Sequence, residues 1–213
     1  MLKIAVLETG PLSVNTYVLH SEPSSECVVI DPADGVLVED YLNKEGLNCK
    51  YILLTHGHFD HLLGVEHLKR VMGAKVLIHD ADKDALTSDK INLAAFVGTT
   101  TRKCEADRLL SDGENLNLCG IDICVMHTPG HSSGSVCYII ESEKVIFSGD
   151  TLFRLSVGRT DLYRSNREDL SFSILYKLYA LHGNYTVLPG HGERTELEFE
   201  RRNNPVTNHM DYE

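Results

Sequence analysis

Thr55-His56-Gly57-His58-Phe59-Asp60-His61 is the stretch on which the reading of this chain turns. It follows directly on Tyr51-Ile-Leu-Leu54, an apolar run of the kind that forms a buried strand. Four side chains able to ligate a metal lie within six residues, in a chain with eleven histidines. In extended backbone the side chains at i and i+2 point the same way, so His56 and His58 can converge on one ion. A turn into the next helix would swing Asp60 and His61 to an adjacent position, where they can hold a second. Four unsatisfied polar side chains at a strand end would be costly, which argues against a purely structural role. Imidazole and carboxylate without thiolate suit zinc, iron or manganese.

Three more positions share one pattern, a strand followed by a polar residue just past its carboxyl end. His131 follows the strand-like 121–126, Asp150 follows 145–147 and His191 follows 186–188. Loops at strand ends can converge on a site while the sheet beneath stays rigid. With the histidine run these make seven candidate ligands, enough for two ions with one shared carboxylate.

Around these positions, short β-rich runs (4–7, 16–19, 28–30, 51–54, 76–78) alternate with helical patterns at 35–45 and 65–72. Asp80 or Asp82 opens a further short helix. Ser165-Asn-Arg-Glu168 has the form of a capping box, and Leu170, Ile174, Leu175, Leu178 and Leu181 line one face of the helix after it. Residues 88–107 are the least regular and read as a lid, a substrate wall or a surface excursion. The tail after His191 is polar. The class is α/β with mixed sheets layered as a sandwich, in two blocks of similar plan.

The 213 residues, 42% apolar and 24% charged, fit one globular unit with a sizeable core. A net charge of −11 disfavours nucleic acid and anionic membranes as partners, but not a small substrate. No signal peptide or membrane span is legible, and Cys27, Cys49, Cys104, Cys119, Cys124 and Cys137 form no C-x-x-C pair. Reduced thiols in a cytoplasmic protein are expected.

The chain resembles the metallo-β-lactamase superfamily, and within it the short, glyoxalase II-like branch of hydroxyacylglutathione hydrolases. The likeness rests on Gly10-Pro-Leu-Ser-Val-Asn-Thr-Tyr-Val18, Val29-Ile-Asp-Pro32, the histidine run, Thr128-Pro-Gly-His131, Gly149-Asp-Thr-Leu-Phe153, Val157-Gly-Arg-Thr-Asp161, Pro189-Gly-His-Gly192 and Arg201-Arg-Asn-Asn-Pro205. It implies an αββα four-layer sandwich of two mixed β-sheets flanked by helices, as one domain over 1–213. It implies that His56, His58 and His131 hold one divalent metal, Asp60, His61 and His191 a second, and that Asp150 bridges them. Zinc is the first expectation for both ions, with iron or manganese as alternatives. Asp31 stands where the family often has an acid that orients an imidazole. The other histidines are expected at the surface or behind the ligands, with His127 nearest to the ligand loops.

The implied reaction is hydrolysis of an acyl thioester such as S-(2-hydroxyacyl)glutathione through a metal-bridging hydroxide that Asp60 helps to position. Arg159 matches a position that meets the glutathione backbone in longer relatives, although an ion pair with Asp161 is an equal reading. Arg154 is a second candidate for an anionic group of the substrate. The C-terminal helical domain that helps those relatives grip glutathione has no room here, since about twenty residues follow His191. Asp161 and Gly192-Glu193 replace contacting tyrosines. The chief rival is a persulfide dioxygenase with one iron on His56, His131 and Asp150; a lactonase or another small-ester hydrolase comes next.

Overall fold

The computed structural model describes residues 1–206. The first sheet takes its strands in chain order: Leu2–Thr9 (β1), Val14–Ser21 (β2), Glu26–Ile30 (β3), Asn48–Leu53 (β4), Lys75–His79 (β5) and Arg108–Leu110 (β6). β1, β2 and β3 run antiparallel; β3 to β6 run parallel, joined by crossovers. Asn115–Leu118 (β7), Ile121–His127 (β8), Val136–Ile140 (β9) and Val145–Gly149 (β10) start the second. A small hairpin, Leu152–Phe153 (β11) with Ser156–Val157 (β12), stands outside it. Thr186–Pro189 (β13) and Thr195–Glu196 (β14) complete the second sheet, in the order β14-β13-β10-β9-β8-β7. β13 is parallel to β10, so this sheet is mixed as well.

Alternation along the central strands sets the layers. Val28 and Ile30 face the second sheet, and Tyr138 and Ile140 meet them from the other side. Cys27 and Val29 point outward beneath the helices Gly35–Glu45 (α1) and Val65–Met72 (α3), which contribute Val38, Leu42, Val65 and Leu68. Cys137 and Ile139 point outward beneath Leu170, Ile174 and Leu178. Strands apolar on both faces thus make two outer interfaces and one inner, an αββα sandwich of two mixed sheets. Hydrogen bonds stitch the sheets at their carboxyl ends: Tyr138 donates to Leu54 O at 2.7 Å and Tyr17 to Pro189 O at 2.7 Å.

Two local readings need correction. The helix after the His131 loop, Arg167–Phe172 (α4), is capped by Asn166 rather than Ser165. Asn166 Oδ1 accepts from the amides of Glu168 and Asp169, while Ser165 is spent on Leu162. The Asn166 amide also donates to Gly130 O at 2.7 Å, so the cap fastens this helix to the loop before His131. Gly130 has φ 137°, and a Cβ there would collide with the Leu170 backbone, so only glycine fits that approach. The helix continues as a π-helix over Ser173–Leu178. The tail is not merely polar: Leu197–Asn203 (α5) packs Leu197 into the outer core. Among the described residues no helix is long and apolar enough to cross a membrane.

Candidate metal centre

β4 delivers the histidine run to the carboxyl edge of the first sheet, between the two sheets. Thr55 O accepts from Val136 of β9 at 2.8 Å, so the run starts locked across the sandwich. His58 is extended (φ −76°, ψ 147°), and the single turn Phe59–Leu62 (α2) then carries Asp60 and His61 round. All seven expected residues converge. His56, His58 and His131 have ligand-type atoms within 4.8 Å of one another, as do Asp60, His61 and His191. Asp150 lies between the groups, with Oδ1 3.4 Å from His61 Nε2 and Oδ2 3.4 Å from His131 Nε2.

The outer nitrogen of four imidazoles is committed. His61 Nδ1 faces Asp31 Oδ2 at 3.0 Å, His131 Nδ1 faces Arg159 O at 2.9 Å and His191 Nδ1 faces Leu12 O at 3.0 Å. Thr55 donates its hydroxyl to Asp31 at 2.6 Å and is left to accept from His56 Nδ1 at 3.1 Å. Each of these Nδ1 atoms therefore carries a proton and each Nε2 is the atom left facing inward, where His131 Nε2 meets His58 Nδ1 at 2.8 Å. Inside, His56 Nε2 and Asp150 Oδ1 are buried with no hydrogen-bond partner. Facing donors lie 3.3 to 3.6 Å apart for His61–His191, His191–Asp60 and His61–Asp60. Tetrahedral nitrogen ligands at ordinary zinc distances stand about 3.3 Å apart, so Asp60, His61 and His191 fit a divalent metal ion, and the buried, unpartnered His56 Nε2 suits one in the other group.

The fields divide the cluster. Burial holds the His58 imidazole down to about 3, with His131 adding to the effect. His56 is held well below the ordinary histidine value by burial and by its histidine neighbours. Burial opposes charge on His61 too, but Asp60, Asp150 and Asp31 outweigh it and raise that group. Burial would raise Asp60 and Asp150, yet His61 and its neighbours hold both carboxyls below the usual range.

Two acids brace the cluster. Asp31, at φ 50°, accepts the Thr55 amide at 2.8 Å as well as the Thr55 hydroxyl and His61. Its left-handed backbone marks strain retained where it orients the His61 imidazole. Asp82 was expected only as a helix start. The Asp80–Leu86 turn is a 3₁₀ helix opened by His79, and the Asp82 carboxylate turns inward. It accepts the Gly57 amide at 2.9 Å, the Ser132 hydroxyl at 2.6 Å and the Gly134 amide at 2.8 Å, tying the His56–His58 loop to the loop after His131.

Arg159 lines the cleft but makes a bidentate pair with Asp161 at 2.7 and 2.8 Å. Arg154 is not brought to the cleft; it pairs with Glu193 at 2.7 Å beside the Phe199 ring. His127 stacks on His79 with centroids 4.0 Å apart and bonds Ser133 O, behind the ligand loops. His67 pairs with Glu39 at 2.6 Å. His209 lies outside the described residues.

Residues 9–191 match the metallo-beta-lactamase superfamily. The chain belongs to that superfamily. Among relatives of this metallo-beta-lactamase-fold protein, the probable metallo-hydrolase YqgX of Bacillus subtilis is 34% identical, over 95% of this chain and 96% of its own. The hydroxyacylglutathione hydrolase GloC of Haemophilus influenzae is 32% identical, over 97% of this chain and 99% of its own. Of solved structures, the BLEG-1 B3 metallo-beta-lactamase superposes with a TM-score of 0.90 at 36% identity, covering 96% and 98% of the two chains. TTHA1623 in a di-iron-bound form gives 0.85 at 34% identity, covering 94% and 98%.

Proposed function

We propose that the chain is a binuclear metal-dependent hydrolase acting on acyl thioesters, with S-(2-hydroxyacyl)glutathione as the first substrate to test. The observation that carries this reading is the convergence of seven ligand-type side chains, with His56 Nε2 and Asp150 Oδ1 buried and without a hydrogen-bond partner. His56, His58 and His131 would hold one ion and Asp60, His61 and His191 the other, with Asp150, which directs one oxygen at each group, shared between them. The similarity to GloC supports the thioester, and that to the di-iron form of TTHA1623 supports two ions and leaves iron beside zinc and manganese.

When bound, the ions supply an activated water at neutral pH and a Lewis acid for the carbonyl oxygen. Asp60, kept ionised by His61 and His191 against the pull of burial, orients the attacking water by accepting its hydrogen. The thiolate leaves readily, since an ordinary thiol has a pKa of about 8.5. No protein nucleophile is needed: among the described residues no cysteine lines the cleft, and burial pushes Cys119 and Cys137 up to about 11. The chain works as one unit over 1–213 on a small molecule, without nucleic acid or membrane, and the six free cysteines suit the cytoplasm.

Turnover of S-lactoylglutathione by metal-analysed protein, with a chelated control, tests the proposal. Chelator-sensitive release of glutathione by protein with two metals per chain is the expected result. One iron per chain, with O₂ consumed as a persulfide substrate is oxidised and no thioester cleaved, would overturn it.

A further inference from the structure

The cleft above the metal-ligating residues has a volume of about 820 Å³. Its floor is polar, with His58, Asp60, His131, Asp150 and His191, but its walls are hydrocarbon. Phe59 and Leu93 form the lower wall, packed with Ala94, Leu63 and Leu162. Above them Leu12, Phe96, Val97 and Tyr163 are 53%, 69%, 61% and 49% exposed, and all four face the same cleft. Large apolar side chains left in water side by side mark a surface awaiting an apolar ligand.

The wall is also pre-built. Leu93 takes a left-handed φ of 72° to present its side chain, and the fully buried Asn92 holds it there. Asn92 donates to Ala85 O and to the Thr101 hydroxyl at 2.9 Å each, and Oδ1 accepts the Ala94 amide at 3.0 Å. Asn92 O accepts the Phe59 amide at 2.8 Å, so the wall is bolted to the ligand turn itself. Of the irregular 88–107 stretch, Leu93, Phe96, Val97 and Thr99 line the cleft. Among the described residues lining the cleft the one cation is Arg159, already neutralised by Asp161.

We propose that this wall is an acyl subsite for an unbranched aliphatic or aromatic group attached to the scissile carbonyl, so that thioesters of apolar acids are preferred over those of short 2-hydroxy acids. The inference rests on the thioesterase reading and narrows its substrate. A buried methylene is worth a factor of about four, so the five that separate a hexyl from a methyl group, half-covered in an open cleft, give at least about tenfold.

The test measures binding as well as turnover. Calorimetry of metal-loaded protein with the uncleavable thioethers S-methylglutathione and S-hexylglutathione is expected to show at least tenfold tighter binding of the hexyl compound. A Phe96→Ser, Val97→Ser double variant is expected to compress that ratio to about threefold or less. Phe172→Ser, at an exposed apolar residue outside the cleft, is expected to leave it unchanged. Equal affinity for the two thioethers, or a ratio untouched by the double variant, would overturn the subsite. Turnover of S-lactoylglutathione without a chain-length gradient sinks the subsite and spares the hydrolase. A gradient in binding with no thioester cleaved keeps the subsite and sinks the thioesterase.

Discussion

Replacing Asp82 by alanine tests whether the loops that carry the candidate ligands are held by this one carboxylate. The side chain is 4% exposed and accepts two backbone amides, from Gly57 and Gly134, besides the Ser132 hydroxyl. Ser132 can turn to Ser135 Oγ, 2.8 Å away, but the amides have no substitute. A buried donor stripped of its acceptor costs about 1–3 kcal/mol, so two cost about 4 kcal/mol. That is a large share of the roughly 5–15 kcal/mol that stabilises a domain, yet a folded variant remains. The effect on metal is directional. Gly57 sits between His56 and His58, and Ser132 follows His131, so slack enters all three ligands of one group and none of the other. Loss of such an outer support lowers metal affinity by about 10–100-fold. Urea unfolding of the chelated protein measures the first effect, and a competitive chelator titration resolving two binding steps measures the second. A stability loss below about 1 kcal/mol, or equal weakening of both steps, would refute the bracing role.

Asp150→Ala is expected to reduce metal content and turnover far more than Arg159→Ala, because Asp150 faces both ligand groups while Arg159 sits exposed in its pair with Asp161; metal analysis beside kcat/KM checks this. Stability of the chelated protein is expected to fall on both sides of pH 6.5. His56 and His58 are depressed in the folded chain, so their contribution is present above 6.5 and lost as pH falls towards about 3. His61 is raised, so its contribution is present below 6.5 and lost as pH rises through its folded value. Urea midpoints across about pH 5 to 9 read the curve, and a midpoint flat through that range would contradict it. Because His61 and His191 are both raised and must shed their protons to bind a metal, loading at neutral pH is expected to release protons, read by calorimetry in buffers of different ionisation enthalpy. Tyr138→Phe, which strips Leu54 O of its buried donor across the sandwich, is expected to cost about 1–3 kcal/mol in the same unfolding assay without changing metal content.

Much of the floor of the site was legible in the sequence because it obeys local rules. His56 and His58 follow from the period of a strand, Asp60 and His61 from one helical turn, and His131, Asp150 and His191 from a shared place past a strand end. The sandwich was legible in the apolar runs, which the structure buries on both faces. What stayed hidden depends on pairings with no local pattern. Asp82 meets partners 25, 50 and 52 residues away, and nothing in Asp80 to Leu86 distinguishes it from the acids beside it. The left-handed turn at Asp31 is invisible because an aspartate there reads as an ordinary turn residue. The capping box misled for a related reason: Ser165 and Asn166 are both good caps, and the choice is made by Gly130 O, which takes the Asn166 amide.

The supports of the floor and of the wall act on different parts of the proposed chemistry. Asp31 holds the His61 imidazole and Asp82 the loops around His58 and His131, so on the proposed reading they would govern how tightly the ions sit. Asn92 holds Leu93 and the turn at Phe59, so it governs where an apolar group can lie relative to the same carbonyl. The backbone of α2 is the one element common to both, because Phe59 belongs to the wall while Asp60 and His61 belong to the floor. A substrate pressed against Phe59 is therefore registered against Asp60, the next residue in the chain. Moving the wall by an ångström would misplace the carbonyl even with both ions in position, and positioning errors of that size are costly in rate. Substitutions in the wall are for that reason expected to lower kcat as well as raise KM, whereas weakened metal sites lose kcat in proportion to occupancy.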